Sequence, residues 1–188
     1  MSDIPRLRTP RLILRAQRPE DTEPLMAAYA DAGFSRYITR EQRALDRVEA
    51  WRPIALMAGS WATRGFGNWI AEARASGCAV GRLGPWQPEG WPDFEIGWSI
   101  FPDHQGHGYA VEGAAAAMIW VRETLGRDYV IHLIDPANKA SEKVAEKLGG
   151  GITGSWEIPG VTTLNIWTTR WEMFTQTEAY TNQLAAGA

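Results

Sequence analysis

The sequence predicts one mixed α/β domain built around a central sheet. Three observations carry that reading. First, Phe94, Ile96, Trp98 and Ile100 alternate with Glu95, Gly97 and Ser99, the period of a strand, and a proline-free, alanine-rich helical stretch follows from Val111 to Glu123. A glycine-bearing turn, Gln105-Gly106-His107-Gly108-Tyr109-Ala110, joins the two. Second, strand-like and helix-like runs succeed one another in the order β-α-α-β-β-β-α-β-α-β-β, about seven strands and about four helices. Third, 188 residues that are 45% hydrophobic and 22% charged suit one ordinary globular domain. No linker or internal repeat divides it.

Arg11 to Arg15 alternates weakly and reads as the first strand. Asp21 is a suitable N-cap for a helix to about Ala30, with Pro24 in its first turn. Arg40 to Trp51 reads as a second helix, broken by Pro53, and Gly59 to Gly67 as a loop. Trp69 to Ala75 and Cys78 to Leu83 read as a hairpin across Ser76-Gly77, with Cys78 a small buried strand residue. Pro85 to Pro92 is a loop holding Trp86 and Trp91. After the central helix, Tyr129 to Ile134 is a β-branched strand stopped by Asp135-Pro136, and Ala140 to Leu148 is a short helix ended by three glycines. Ile152 to Ile158 and Leu164 to Phe174 alternate as two last strands. Residues 175–188 are polar and small and read as a flexible tail beyond a core of about residues 9–174.

Composition excludes several classes. A net charge of −3 gives no general attraction for nucleic acid or an anionic membrane. No run of about 18 apolar residues suits a membrane span. The single cysteine cannot form an internal disulfide, and Met1 to Pro10 has no apolar signal-peptide core. Cytoplasm is the expected compartment, and no metal is expected.

A strand, a glycine turn and a helix start make an anion site, because the turn aims backbone N–H groups outward at the positive end of the helix dipole. Gly106 and Gly108, without Cβ atoms, let a phosphate approach the backbone. Val111 stands where a dinucleotide fingerprint needs its third glycine, and no G-K-[ST] follows. Gln105, Gly108 and Ala110 do meet the pattern Q/R-x-x-G-x-G/A. That hexad resembles the acetyl-CoA signature of the GNAT acetyltransferases. Thr9-Pro-Arg-Leu-Ile-Leu-Arg15, Glu95-Ile-Gly-Trp98, Asn138-Lys-Ala-Ser141 and Glu146-Lys-Leu-Gly149 are similar to the RimJ/RimL-like branch, some of whose members acetylate N-termini of ribosomal proteins. The resemblance covers about residues 9 to 174 and implies the GNAT fold, with a mixed, mostly antiparallel sheet.

It also implies acetyl transfer from acetyl-CoA to a primary amine, on a protein N-terminus or a small molecule. The alternative is a non-catalytic acyl-CoA-binding sensor. By resemblance the cofactor's pyrophosphate meets Gln105, Gly106, His107, Gly108, Tyr109 and Ala110, and its pantetheine arm pairs with backbone groups of Trp98 and Ile100 where the strand splays from its neighbour. Asn138 bonds the arm, and Lys139 or Lys143 meets the adenosine 3′-phosphate. Many relatives carry a tyrosine as general acid where Ala145 stands, so Ser141 is the candidate partner of the departing sulfur; it also reads as a helix cap. The base candidates are Glu95, Glu72, His104 and His132, and a water chain remains open. Glu95 leads because burial near tryptophans would raise its pKa; His132, in an apolar strand, reads as a satisfied core histidine. Trp51, Trp61, Trp86, Trp91 and Tyr37 read as walls of an acceptor cleft or as core. Relatives pair through their last strands or N-terminal helices, so a homodimer is allowed.

Overall fold

Alternating apolar residues assemble an eight-stranded sheet in the computed structural model, which describes residues 4–187. Its strands are β1 (Leu7–Arg8), β2 (Leu12–Arg15), β3 (Trp69–Ala73), β4 (Ala79–Trp86), β5 (Glu95–Ile100), β6 (Tyr129–Ile134), β7 (Gly151–Ile158) and β8 (Thr162–Arg170). They lie side by side in the order β1-β2-β3-β4-β5-β6-β8-β7, and every pair is antiparallel except β5 with β6. The helices are α1 (Thr22–Ala30), α2 (Ala32–Ser35), α3 (Arg47–Arg64), α4 (Tyr109–Leu125), α5 (Lys139–Lys147), α6 (Trp171–Phe174) and α7 (Glu178–Gly187). The mixed sheet and element order agree with expectation. The extra elements are mostly short: β1, and the single turns α2 and α6. Among the described residues no helix is long and apolar enough to cross a membrane.

Strand alternation gives the sheet two apolar faces, one for each helical layer. Leu12, Leu14, Trp69, Leu83, Phe94 and Ile96 meet the alanines Ala114 to Ala117 of α4. Small side chains let α4 lie close; a Cβ added at Gly113 would stand 2.3 Å from a Leu83 methyl. On the opposite face, Leu25, Tyr29 and Ile54 of α1 and α3 pack over Ile70.

Five local expectations are corrected. The second helix starts at Arg47 rather than Arg40, because Asp46 accepts the Glu49 N–H at 2.9 Å while Glu49 accepts the Asp46 N–H at 3.1 Å, a capping box. It runs through Pro53 to Arg64, across the expected loop, because burial of Ile54 and Trp61 beyond the proline rewards a continuous helix. Asp21 does precede α1, but its carboxylate bonds Arg15 and the Arg18 N–H and leaves the α1 amides alone. Cys78 is exposed in the turn before β4, not buried. The expected flexible tail, residues 175–188, contains α7. Ala179, 9% exposed, joins the core, and the Tyr180 ring packs on Phe174 at 5.3 Å and Trp171 at 5.7 Å. The anchor is aromatic and tertiary, so local polarity concealed it.

Gly113→Ala forces a methyl group against Leu83 at the α4–β4 contact. It is expected to destabilise the fold by about 1–3 kcal/mol, seen as a midpoint lowered by about 2–12 °C in a thermal melt.

Candidate active site

β5 pairs with β4 along its whole length, from Gly81↔Ile100 to Trp86↔Glu95. Its pairing with β6 is confined to one end, at Glu95↔Ile131, where the Ile131 N–H reaches Phe94 O at 3.0 Å. Beyond that point the strands part. Two side chains replace the missing ladder: Glu95 Oε1 accepts the Leu133 N–H at 3.2 Å, and His132 Nδ1 donates to Ile96 O at 2.7 Å. The Phe101 N–H goes to Val80 of β4, so by alternation the backbone groups of Ile96, Trp98 and Ile100 face the fork. Gln105 Nε2 takes Ile100 O at 3.0 Å, leaving the Trp98 N–H and C=O and the Ile100 N–H aimed into it. An extended chain laid in the fork would find a strand edge.

The hexad closes the wide end of this fork. Gly106 and Gly108 have φ of 79° and 80°, the left-handed region that favours glycine. Gly108 is the N-cap of α4 and no side chain caps the helix, so its first amides stay free for an anion. A Cβ at Gly106 would meet nothing within 4 Å. The loop is held from the far end of the chain. Arg11 Nη1 donates to His107 O at 2.8 Å and its Nε to Glu112 Oε2 at 2.6 Å, and Glu112 Oε1 accepts from the Arg11 N–H and the Thr9 hydroxyl. The guanidinium lies over the Tyr109 ring, with Nη2 3.4 Å from where a Gly108 Cβ would be. A half-exposed cation thus borders the free amides.

Glu95 is 8% exposed and sits at the crotch of the fork. Trp91 Nε1 donates to its Oε2 at 2.7 Å, and the Trp156 ring packs on Trp91 at 5.0 Å. Burial pushes its pKa up to about 7, against the opposing pull of the Leu133 and Trp91 N–H donors and of Arg82. Across the sheet, Trp98 Nε1 donates to Ser141 Oγ at 3.3 Å. Asn138 is the N-cap of α5, its Oδ1 accepting the Ser141 N–H at 3.1 Å, so Ser141 itself is not the cap. Glu95 and Trp98 are three residues apart on one strand and point to opposite faces. The acid and the serine therefore flank the fork from opposite sides.

The sequence profile of the acetyltransferase (GNAT) domain matches residues 11–150. The chain belongs to that family. By family it is an N-acetyltransferase, on a fold that supports acyl-CoA-dependent transfer to amines. The Bacillus subtilis (strain 168) protein YkkB is 40% identical over 87 residues, 45% of this chain and 51% of YkkB, so the match spans about half of that relative. A crystal structure of an acetyltransferase from Agrobacterium tumefaciens str. C58 superposes with a TM-score of 0.78 at 26% identity, covering 89% of this chain and 95% of that one. The fold is also similar to that of the spermidine N-acetyltransferase from Vibrio cholerae in complex with CoA and spermine, with a TM-score of 0.69, 16% identity and coverage of 88% and 98%.

Within this GNAT domain the remaining expected site residues divide. Glu72 is apart from Glu95: its partner on β4 is Ala79, that of Glu95 is Trp86, and seven residues of strand span about 23 Å. Its carboxylate is engaged by Arg15 and lies 3.6 Å from Arg18. His132 is buried; Nε2 accepts from Thr169 Oγ1 at 3.1 Å, and burial holds its pKa down at about 4. His104 ends a half-exposed 3-10 turn before the hexad. Lys143 is exposed, two residues from Ser141 and so turned away from it, while Lys139 pairs with Glu142 at 2.8 Å. Trp61 is core, packed on Trp69 at 5.0 Å, and Trp51 is 57% exposed on α3. Tyr37 and Trp86 are part-exposed; Trp91 alone of these aromatics bonds Glu95. Arg11, Arg82 and the bond from Trp91 escaped the sequence reading. Arg11 lay inside a quoted motif, yet nothing local links it to a loop 96 residues away.

Arg11→Gln removes the charge beside the hexad and loosens the loop. It is expected to weaken coenzyme A binding about 3- to 10-fold in calorimetry, since each charge-assisted bond at a half-exposed site is worth about 1 kcal/mol.

Proposed function

We propose that this chain transfers an acetyl group from acetyl-CoA to a primary amine by direct attack on the thioester, with Glu95 as the base. The carrying observation is a buried carboxyl with a pKa near 7 at the crotch of a fork whose free backbone groups suit an extended ligand arm. The residues fit the cofactor: glycine-lined space and uncapped amides at the hexad for the pyrophosphate, Arg11 beside them, and the Trp98 and Ile100 backbone for the pantetheine arm. Asn138 keeps its amide nitrogen for the same arm, since only its Oδ1 caps α5. Lys143, exposed in the middle of α5, is the residue proposed for the 3′-phosphate.

Acetyl-CoA supplies an activated acyl carbon and a sulfur leaving group. Glu95, ionised, takes the proton that the attacking amine must shed. The Trp98 N–H, aimed into the fork, supports charge on the carbonyl oxygen as the C–N bond forms. The C–S bond then breaks, and Ser141 donates a hydrogen bond to the sulfur on the opposite face. Ala145 is fully buried against Ile134 and Trp167, so that helix position offers no acid. A thiolate leaves with little help, which makes a hydroxyl sufficient. The acceptor class is an α-amine or a small amine; α-amines, with pKa near 8, are partly neutral at pH 7. A sensor that binds acyl-CoA without transfer would show affinity for coenzyme A and no acetylated product from any amine.

The pH profile tests the assignment. The rate should rise as Glu95 ionises, with a limb near pH 7, and Glu95→Gln should lower kcat about 100-fold or more and remove that limb while acetyl-CoA affinity stays near wild type. A retained limb places the base elsewhere. Stability gives an independent readout. A carboxyl whose folded pKa is raised is fully accommodated below its unfolded value and destabilises the fold as pH climbs from about 4.5 to about 7. Relative to wild type, Glu95→Gln should therefore gain up to about 3 kcal/mol between pH 4 and pH 8 in denaturant titrations.

A further inference from the structure

Two arginines are buried on the Glu95 face of the sheet, and their surroundings differ. Arg15, 5% exposed, is gripped by Asp21 at 2.7 and 2.8 Å and by Glu72. Arg82, 7% exposed, lies in the middle of β4, and among the described residues no carboxylate oxygen comes within 4.0 Å of it. Its Nη1 donates to Asn68 Oδ1 at 2.7 Å and its Nη2 to the Tyr29 hydroxyl at 3.0 Å, both neutral acceptors, and its Nε–H has no partner. A guanidinium cannot shed its proton, and a buried charge without a counter-ion is strongly unfavourable. Glu95 opposes that charge only through space: it stands four ladder pairs further along, makes no ion pair with Arg82, and becomes neutral on taking the amine proton.

Between the two groups the face is open at Gly97 alone; at Gly84 an added Cβ would already meet the Trp69 ring at 2.8 Å and Gly67 O at 3.0 Å. Gly84 and Gly97 oppose each other across the β4–β5 ladder, and Gly97 is half-exposed. A Cβ added at Gly97 would meet only the Glu95 carboxyl, at 3.7 and 3.9 Å. Arg82 starts one strand step away, opposite Ser99 on the same face as Gly97 and Glu95, and its guanidinium is held by Asn68, beside β3, and by Tyr29 of α1. Asn68, which holds Nη1, also donates to Gly84 O at 3.2 Å and Pro85 O at 3.1 Å. On this face of the sheet an acid and a cation with no carboxylate in contact therefore stand on either side of Gly97.

We infer that the acceptor is a small zwitterion, a free amino acid in the simplest case, whose amine sits over Gly97 beside Glu95 and whose carboxylate supplies the counter-charge of Arg82. The inference rests on the acetyl-transfer reading above and narrows its acceptor. A polyamine would bring further positive charge to an uncompensated guanidinium. A protein N-terminus has no carboxylate within one residue of its amine unless its first side chain is acidic. The α-carboxylate of a free amino acid lies two bonds from the nitrogen.

The test is a matched panel: the free amino acids, their carboxamides and spermidine, each incubated with acetyl-CoA and the full chain, with acetylated product read by mass spectrometry. An amino acid should be preferred over its own carboxamide by about tenfold or more in kcat/KM, the size of a charge-assisted contact. In Arg82→Gln that ratio should fall toward one, and Arg82→Lys should keep part of it. Because the ratio is taken within each variant, a change in overall activity does not affect it. If Arg82→Gln fails to fold, the wild-type ratio and the lysine variant carry the test. A carboxamide or spermidine preferred by the wild type, or a ratio unchanged in Arg82→Gln, overturns the inference. If no amine is acetylated although coenzyme A binds, acetyl transfer itself fails. The anion site is then read separately, by titrating N-acetylphenylalanine and its carboxamide into the coenzyme A-loaded protein. Carboxylate-selective binding lost in Arg82→Gln supports it, and equal binding overturns it.

Discussion

The parting of β5 from β6 is the constraint on which the site depends. Buried backbone groups must find partners, so two parallel strands stay zipped unless something else satisfies them. Here the Glu95 carboxyl and the His132 ring take those places, on Leu133 N–H and Ile96 O. One residue therefore does two jobs. Glu95 holds the fork open at its crotch and, being there, is buried beside the groups the fork exposes. His132 serves with its proton on Nδ1, and burial keeps the ring neutral across the physiological range, leaving Nε2 to accept from Thr169.

The charges on the sheet follow from how each is paired. At the N-terminal edge, Arg15, Asp21 and Glu72 form a closed cluster that joins β2, β3 and the turn before α1, and nothing in it is left to react. Around Glu95 the pairing is incomplete. Its carboxyl has N–H donors but no cation in contact, so burial dominates and the group is poised near neutrality. A site of this kind costs stability, the usual trade where function needs a group held away from its preferred state. The Trp91–Trp156 pair covers the carboxyl and excludes water while still donating to it.

The hexad shows a similar division of labour. Its glycines and the uncapped start of α4 expose backbone amides locally. The orientation of the loop is set from elsewhere, by Arg11 and Thr9 clasping Glu112 and by Arg11 on His107 O. An opening stretch that looks like a mere sheet edge in fact fixes the glycine loop.

What the sequence by itself determined was local. The period of β5, the proline that stops it, the glycines and the alanine run of α4 specify a strand, a turn and a helix without help, because each depends on neighbours within a few residues. The same holds for β6 and α5. Tertiary structure decided the rest. α3 passes Pro53 because apolar burial on both sides of it outweighs one missing bond, and α7 forms because Ala179 and Tyr180 find α4, Phe174 and Trp171. Glu95 led Glu72 among acids on central strands, but only ladder register set them seven residues apart and gave Glu72 to Arg15. The unpaired state of Arg82 is of the same kind. A sequence names a cation, but only the packed fold shows whether a counter-charge reaches it.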